Sequence, residues 1–252
     1  MKPVALITGG QQGIGLGIAE ALAKAGFAVA LASLAAADDA AVVAAIEKLG
    51  ADARYFRHDL SDIGNVPALL DAVEAELGPV DCLVSNAGVP AKVRGDMLDL
   101  VPENFDAVLD VNLRGGFFLA QQVARRMLAR EAGPYRSLIF VTSVSAAMVS
   151  VERAEYCISK AGAAMMARLF AVRLAPHGIG VFELRPGIIE TGMTAAVRDS
   201  YTPRIEAGLV PAGRWGQPAD IGSIVVPLAT GRMAFANGAV LPVDGGLSIA
   251  RL

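Results

Sequence analysis

Short apolar runs recur along the chain, separated by longer segments in which apolar side chains return at helical spacing. The runs are Val4–Thr8, Phe27–Ser33, Ala53–Phe56, Val80–Ser85, Ser137–Thr142, Ile179–Leu184 and Ala239–Val243. Strand-length runs alternating with helix-length segments are the rhythm of βαβ units. The runs are continuous rather than alternately apolar and polar, so both faces of each strand must be covered, as happens in parallel sheets whose crossover helices lie on both sides. The pattern predicts an α/β fold with a doubly wound parallel β-sheet and helices on both faces. No Pro/Gly/Ser-rich linker, repeat or shift of composition divides the chain, so residues 1–252 are expected to form a single domain. The segment from about Ala154 to Ala175 is apolar on nearly every side and ends at Pro176-His177-Gly178, which cannot continue a helix. It is expected to be buried on several faces, one of them against a neighbouring subunit.

Composition sharpens this picture. Hydrophobic residues make up 54% and charged residues 19% of the 252 residues, against a usual charged share of about 25%. A surface short of charge favours a homo-oligomer that hides apolar area between subunits. A net charge of −3 and a pI near 5.5 argue against nucleic acid as a partner. The longest stretch without a charged side chain, Pro3–Ala19, contains five glycines and is too short to cross a bilayer. The N-terminal apolar run Pro3–Ile7 is likewise too short for a signal peptide. A cytoplasmic protein without membrane association is expected. Cys82 and Cys157 form no CxxC pair, and His58 and His177 lack a second ligand at metal spacing, so neither a disulfide nor a metal site is expected.

The first run leads directly into Thr8-Gly9-Gly10-Gln11-Gln12-Gly13-Ile14-Gly15, followed by the helical pattern Ile18–Ala25. Glycines at a strand-to-helix turn let a pyrophosphate approach the backbone, where free N–H groups and the helix dipole meet its charge. A purely structural glycine turn is the alternative, and the spacing Gly9-x3-Gly13-x-Gly15 differs from the usual G-x-G-x-x-G. Further polar residues fall at strand ends: Ser85-Asn86-Ala87-Gly88 after the fourth run and Ser143 after the fifth, with Asn112 between them and Tyr156-x3-Lys160 beyond. In a doubly wound sheet the strand ends form the ligand-binding edge. Tyr156 and Lys160 are i and i+4, hence on one helix face. An ammonium about 4 Å from the phenol, at an effective dielectric of about 20, would favour the phenolate by roughly 4 kcal/mol. Singly, each has a plainer reading: a satisfied strand-end hydroxyl, an ordinary helix surface, or an Asn that braces backbone.

Together these motifs resemble the short-chain dehydrogenase/reductase family in its shorter, single-domain branch, over essentially the whole chain. The family's T-G-x3-G-x-G is met by Thr8, Gly9, Gly13 and Gly15, and its N-N-A-G by Ser85-Asn86-Ala87-Gly88, with Ser in place of the first Asn. Its catalytic Asn, Ser, Tyr and Lys fall on Asn112, Ser143, Tyr156 and Lys160. Its Pro-Gly segment is Pro186-Gly187-Ile188-Ile189-Glu190-Thr191, and its adenine-side Asp is Asp59 in His58-Asp59-Leu60. Gly213-Arg214-Trp215-Gly216-Gln217-Pro218 and Val243-Asp244-Gly245-Gly246 resemble its C-terminal landmarks. The resemblance implies a Rossmann-like fold, a nicotinamide cofactor, a ketone/alcohol substrate and a tetramer. It further implies that Tyr156 exchanges the proton on the substrate oxygen, Ser143 holds that oxygen, Lys160 also grips the nicotinamide ribose, and Asn112 anchors a water of the proton path.

NAD selectivity in such folds rests on an acid at the end of the second strand, whereas NADP selectivity uses a nearby Arg or Lys. Here Ser33 stands at that position, Leu34 follows, and Gln12 occupies a glycine-loop position that is often basic in NADP users. The missing carboxylate favours NADP(H) over NAD(H), with Asp38 and Asp39 as a counterweight. Substrate choice is expected in Gly192–Val210, whose Met193, Val197, Tyr201, Ile205 and Leu209 suggest a flexible, mostly apolar lid. The chain looks most like 3-oxoacyl-(acyl-carrier-protein) reductases. Arg125, Arg126, Arg130 and Arg173 are a candidate docking face for an acidic acyl carrier protein. A polyol or sugar dehydrogenase of the same family is the alternative, and a non-catalytic dinucleotide sensor is a third, against which the intact Asn-Ser-Tyr-Lys set speaks.

Overall fold

The structure is a computed structural model and describes residues 2–131 and 133–251. All seven apolar runs are strands, with ends that move by at most two residues: β1 (Val4–Thr8), β2 (Ala28–Ser33), β3 (Ala53–Arg57), β4 (Val80–Ser85), β5 (Ser137–Val141), β6 (Gly180–Pro186) and β7 (Val240–Val243). They form one sheet in the order β3-β2-β1-β4-β5-β6-β7, with every neighbouring pair parallel.

Alternate side chains of each strand enter different apolar layers. In β1, Val4 and Leu6 pack on one face with Leu70 and Val73 of α3 (Val66–Leu77), Leu119 and Val123 of α5 (Gly116–Leu128), and Met166 and Phe170 of α6 (Ala154–Leu174). Ala5 and Ile7 face the other way, onto Ile18 and Leu22 of α1 (Gly13–Lys24), Ala45 of α2 (Ala40–Leu49), and Ile221 and Val225 of α8 (Pro218–Ala229). This is the double burial that the continuous apolar runs require. The second layer is unusually close: a Cβ on Gly222 would lie 2.4 Å from Gly17 O, so only glycine lets α1 and α8 touch backbone to backbone.

Helix α6 begins where expected and stops at Leu174, followed by a 3-10 turn and by Gly178 at φ +67°. Two short helices complete the set of α-helices: α4 (Pro102–Leu109), and α7 (Arg198–Glu206) in the segment expected as a lid. Met193, Val197, Tyr201 and Leu209 of that segment line a cleft, as expected of a mostly apolar wall, whereas Ile205, 2% exposed, is buried beneath it and anchors α7. Ile205 is the one buried residue of α7, and the charged residues and Pro203 around it conceal that in the sequence.

Candidate active site

Strand order reverses between β1 and β4, and the crevice at their carboxyl ends is where such sheets take ligands. Thr8 ends β1 and fixes this crevice: its Oγ1 accepts from the N–H groups of Asn86 and Ala87 at 3.0 and 2.9 Å. Asn86 Nδ2 in turn donates to Thr8 O at 2.9 Å. The glycine turn then folds tightly enough that a Cβ on Gly15 would lie 2.1 Å from Gly9 O. Gln12, the N-cap of α1, makes no side-chain capping bond. The first-turn N–H groups of α1 thus keep their capacity for an anion, which fits a dinucleotide pyrophosphate.

A cleft of about 350 Å³ runs along this edge. Its walls include Gly9, Gln12, Gly13, Ile14, Gly15, Ser33, Asp59, Leu60, Asn86, Ala87, Gly88, Tyr156, Lys160 and Thr191. The other three residues expected to meet the cofactor, Pro186, Gly187 and Ile189, line an adjoining cleft of about 470 Å³ together with Ser143. Tyr156 borders both clefts.

Asn112 lines neither cleft. It sits in a six-residue π-helical segment, Asp110–Gly115, between α4 and α5, a distortion common at functional sites. Its Oδ1 accepts from Val89 N–H at 2.7 Å, while its Nδ2 donates to Val89 O at 3.0 Å and to Ser159 Oγ at 3.1 Å. Ser159 Oγ donates to Tyr156 O at 2.8 Å, so a hydrogen-bonded chain joins the β4 loop to the backbone of Tyr156. Lys160 is buried, its Nζ donating to Val141 O at 3.3 Å and lying 5.7 Å from the centroid of the Tyr156 ring. Ser143 Oγ accepts from Ser145 N–H at 3.1 Å, which leaves its own hydrogen for another acceptor.

At the adenosine end β2 does stop at Ser33, whose Oγ is 2.8 Å from the Tyr55 hydroxyl. Asp39 caps α2 by accepting from Ala41 N–H at 2.9 Å and lines neither cleft, which weakens it as a counterweight in cofactor choice. Asp59 accepts from the hydroxyl and amide of Ser61, which hold its carboxyl below the ordinary aspartate range. Of the basic side chains considered for docking, Arg126 is paired with Asp71 and Glu74, and Arg130 with Asp81, so those charges are already balanced.

Some wall residues were given no role in the site from the sequence, where His58 was weighed only as a metal ligand. His58 is buried in the cofactor cleft with no hydrogen-bond partner for either ring nitrogen, and burial lowers its pKa despite Asp62 and Asp59 nearby. Arg94, Arg153 and Arg204 line the second cleft. They come from three distant segments, and no sequence spacing links them. No helix among the described residues is long and apolar enough to cross a membrane.

Fold and clefts together define a dinucleotide-binding oxidoreductase, and the chain belongs to the short-chain dehydrogenase/reductase family, whose members act on alcohol and ketone groups. The family model that matches, over residues 9–248, is described as enoyl-(acyl carrier protein) reductase. The chain is 34% identical over 249 residues to 2-dehydro-3-deoxy-D-gluconate 5-dehydrogenase of Pseudoalteromonas atlantica, covering 96% of this chain and 94% of that protein. It is 36% identical to the 3-oxoacyl-[acyl-carrier-protein] reductase MabA of Mycobacterium tuberculosis, covering 97% of this chain and 92% of that one. A 3-oxoacyl-[acyl-carrier protein] reductase from Brucella melitensis, solved in complex with NAD, superposes with a TM-score of 0.96 at 49% identity, over 100% of this chain and 99% of that one. Similar solved structures hold NAD in one case and NADP in another.

Proposed function

We propose that this protein interconverts a ketone and a secondary alcohol by direct hydride transfer, with Tyr156 as general acid and base. The observation that carries the reading is the hydrogen-bonded chain Val89–Asn112–Ser159–Tyr156, which sets Tyr156 between the two clefts beside a buried Lys160. The glycine turn and the first turn of α1 would hold a nicotinamide dinucleotide, which would supply or take the hydride when bound. Tyr156 gives its phenolic proton to the carbonyl oxygen during reduction and takes it back during oxidation. Ser143 directs its free hydroxyl hydrogen to the same oxygen. The Lys160 ammonium opposes the negative charge that develops on the phenolic oxygen, and is within the cofactor cleft to meet the ribose. Asn112 holds the β4 loop and the Tyr156 turn in register. The test is an absorbance assay at the nicotinamide band with ketones, 3-oxoacyl thioesters, sugar acids and polyols, using each cofactor. Turnover of at least one class is expected; cofactor binding without turnover of any of them would make the protein a sensor.

The cofactor proposed is NADP(H). No carboxylate stands at Ser33 or Leu34, and Arg57, paired with Ser33 across the sheet, donates from Nε to Leu34 O at 3.3 Å. Arg57 lies outside the cleft lining but next to Leu34, within a side chain's reach of that end of the cleft. A homo-oligomer is also proposed, because the outer face of α6 carries exposed Ile158, Met165, Leu169 and Val172, the last 79% exposed. Leu169→Glu is expected to lower the mass measured by light scattering.

A further inference from the structure

We infer that the substrate carries a carboxylate close to its reacting carbon, and that Arg153, with Arg94 and Arg204, is the subsite that holds it. The inference rests on the proposed oxidoreductase reaction at Tyr156 and names the substrate class of that site. The charged side chains of the second cleft are these three arginines and Glu152. None of the three guanidinium groups has an ion-pair or hydrogen-bond partner among the described residues, although seven other arginines do form ion pairs. Arg153 Nε is the strongest sign, since it is buried and unpartnered. A buried N–H without an acceptor is costly, more so on a charged group, and such a cost persists where a ligand removes it.

The positions are held, not incidental. Gly95 N–H donates to Glu152 O at 3.2 Å, tying the loop of Arg94 to the turn of Arg153. The Arg153 guanidinium carbon lies 5.5 Å from the centroid of the Tyr156 ring, and that of Arg204 lies 5.1 Å from the Tyr201 ring across the cleft. Three arginines against the single Glu152 leave the charged lining of the cleft net positive, which favours an anionic ligand. Arginine's planar fork suits a carboxylate. Proximity to Tyr156 selects the kind of substrate. The reacting end of a 3-oxoacyl thioester is neutral, and its nearest phosphate lies at the far end of a pantetheine arm. An oxo acid, sugar acid or hydroxy acid carries its anion within a few bonds of the carbonyl. The hydroxyl-bearing wall residues Ser145 and Ser150 fit the same class.

Acetoacetate and oxo acids of five and six carbons, each paired with its methyl ester, separate charge from shape. For the unaltered protein kcat/KM is expected to be at least tenfold higher for the acid than for its ester. Arg153→Gln should remove that preference through KM, leaving the ester within threefold, and Arg153→Lys should restore part of it. Should Arg153→Gln not fold, the exposed Arg94→Gln and Arg204→Gln carry the same test, with losses of at least threefold on the acid alone. Esters turned over as well as acids, or variants that impair both alike, would overturn the subsite and leave the oxidoreductase reading intact. If no pair is turned over, calorimetric titration of the cofactor-loaded protein with acetoacetate decides: binding weakened by Arg153→Gln supports the subsite, and absence of binding overturns it. Competition by inorganic phosphate but not by malonate would mean a phosphorylated substrate and would overturn the carboxylate.

Discussion

Asn112 grips Val89 by both of its backbone polar groups, accepting from the N–H at 2.7 Å and donating to the C=O at 3.0 Å. One amide side chain thereby completes what a neighbouring strand would otherwise supply. Asn112→Ala should strip both partners from Val89 and free the loop that carries Arg94. A loss of about 1–3 kcal/mol of stability is expected, together with a turnover loss of at least tenfold, checked by thermal melting and steady-state kinetics on the same preparations.

Tyr156→Phe preserves the ring and its packing but removes the proton. Cofactor affinity, measured by calorimetry, should stay within threefold while turnover falls by roughly 10³-fold or more. Retention of turnover within a few-fold of the parent would sink the proposed mechanism. Lys160→Ala is expected to damage both affinity and turnover, because its ammonium borders the cofactor cleft as well as the Tyr156 ring.

Ser33→Asp should move relative catalytic efficiency toward NAD by at least about tenfold, equivalent to roughly 1.4 kcal/mol of repulsion against a 2′-phosphate. The Tyr55 hydroxyl already gives its one hydrogen to backbone oxygen, Ala35 O at 2.6 Å or Ser33 O at 3.0 Å, so the substitution loses the bond that Ser33 Oγ donates to it, and the new carboxylate is free to turn to the ribose. Parallel kinetics with both cofactors give the ratio directly; an unchanged ratio would assign selectivity to another residue, with Arg57→Ala the next variant to measure.

Thr8→Val keeps the side-chain volume and deletes the oxygen that serves the amides of Asn86 and Ala87. Leaving two such groups unpaired should cost about 2–4 kcal/mol, or roughly 5–15 °C in Tm for a chain of this size. Cofactor binding should weaken in parallel, since the same amides fix the floor of the cleft.

His58 gives the protein an acid-sensitive term. Burial lowers its pKa from the ordinary value of 6.5, so the unfolded chain takes up this proton more readily than the folded one. Stability from this group is complete above about pH 6.5 and declines as pH falls below it. His58→Gln should flatten the dependence of Tm on pH over that interval; an equally steep dependence would place the acid sensitivity elsewhere.

The five central strands were legible because each is buried on both faces, and a continuous apolar run such as Val80–Ser85 leaves few alternatives. Edge strand β3 was the hardest: Ala53 and Phe56 are buried while Arg54 and Arg57 reach solvent, so its apolar run stops before the strand does. The glycine turn and the Tyr156–Lys160 pair were readable because their chemistry depends on close spacing. Arg94, Arg153 and Arg204 were not, since only tertiary structure brings them to one cavity. The bond between Ser33 and Tyr55 joins neighbouring strands of a parallel sheet, a pairing fixed by register rather than by any local motif.

The π-helical segment Asp110–Gly115 also left no mark on composition, and its consequence is genetic as much as structural. Each residue of an α-helix turns the chain by about 100°, and a π turn accommodates one residue more than an α turn. Removing one codon from this stretch would restore a regular helix and swing everything before it by that angle, taking Val108, now fully buried, out of its seat. Gly115 compounds the restriction, because a Cβ there would lie 2.0 Å from Leu60 O beside the cofactor cleft. The spatial relation between Asn112 and Val89 is therefore a matter of chain length, open to insertion and deletion and closed to point substitution elsewhere in the helix.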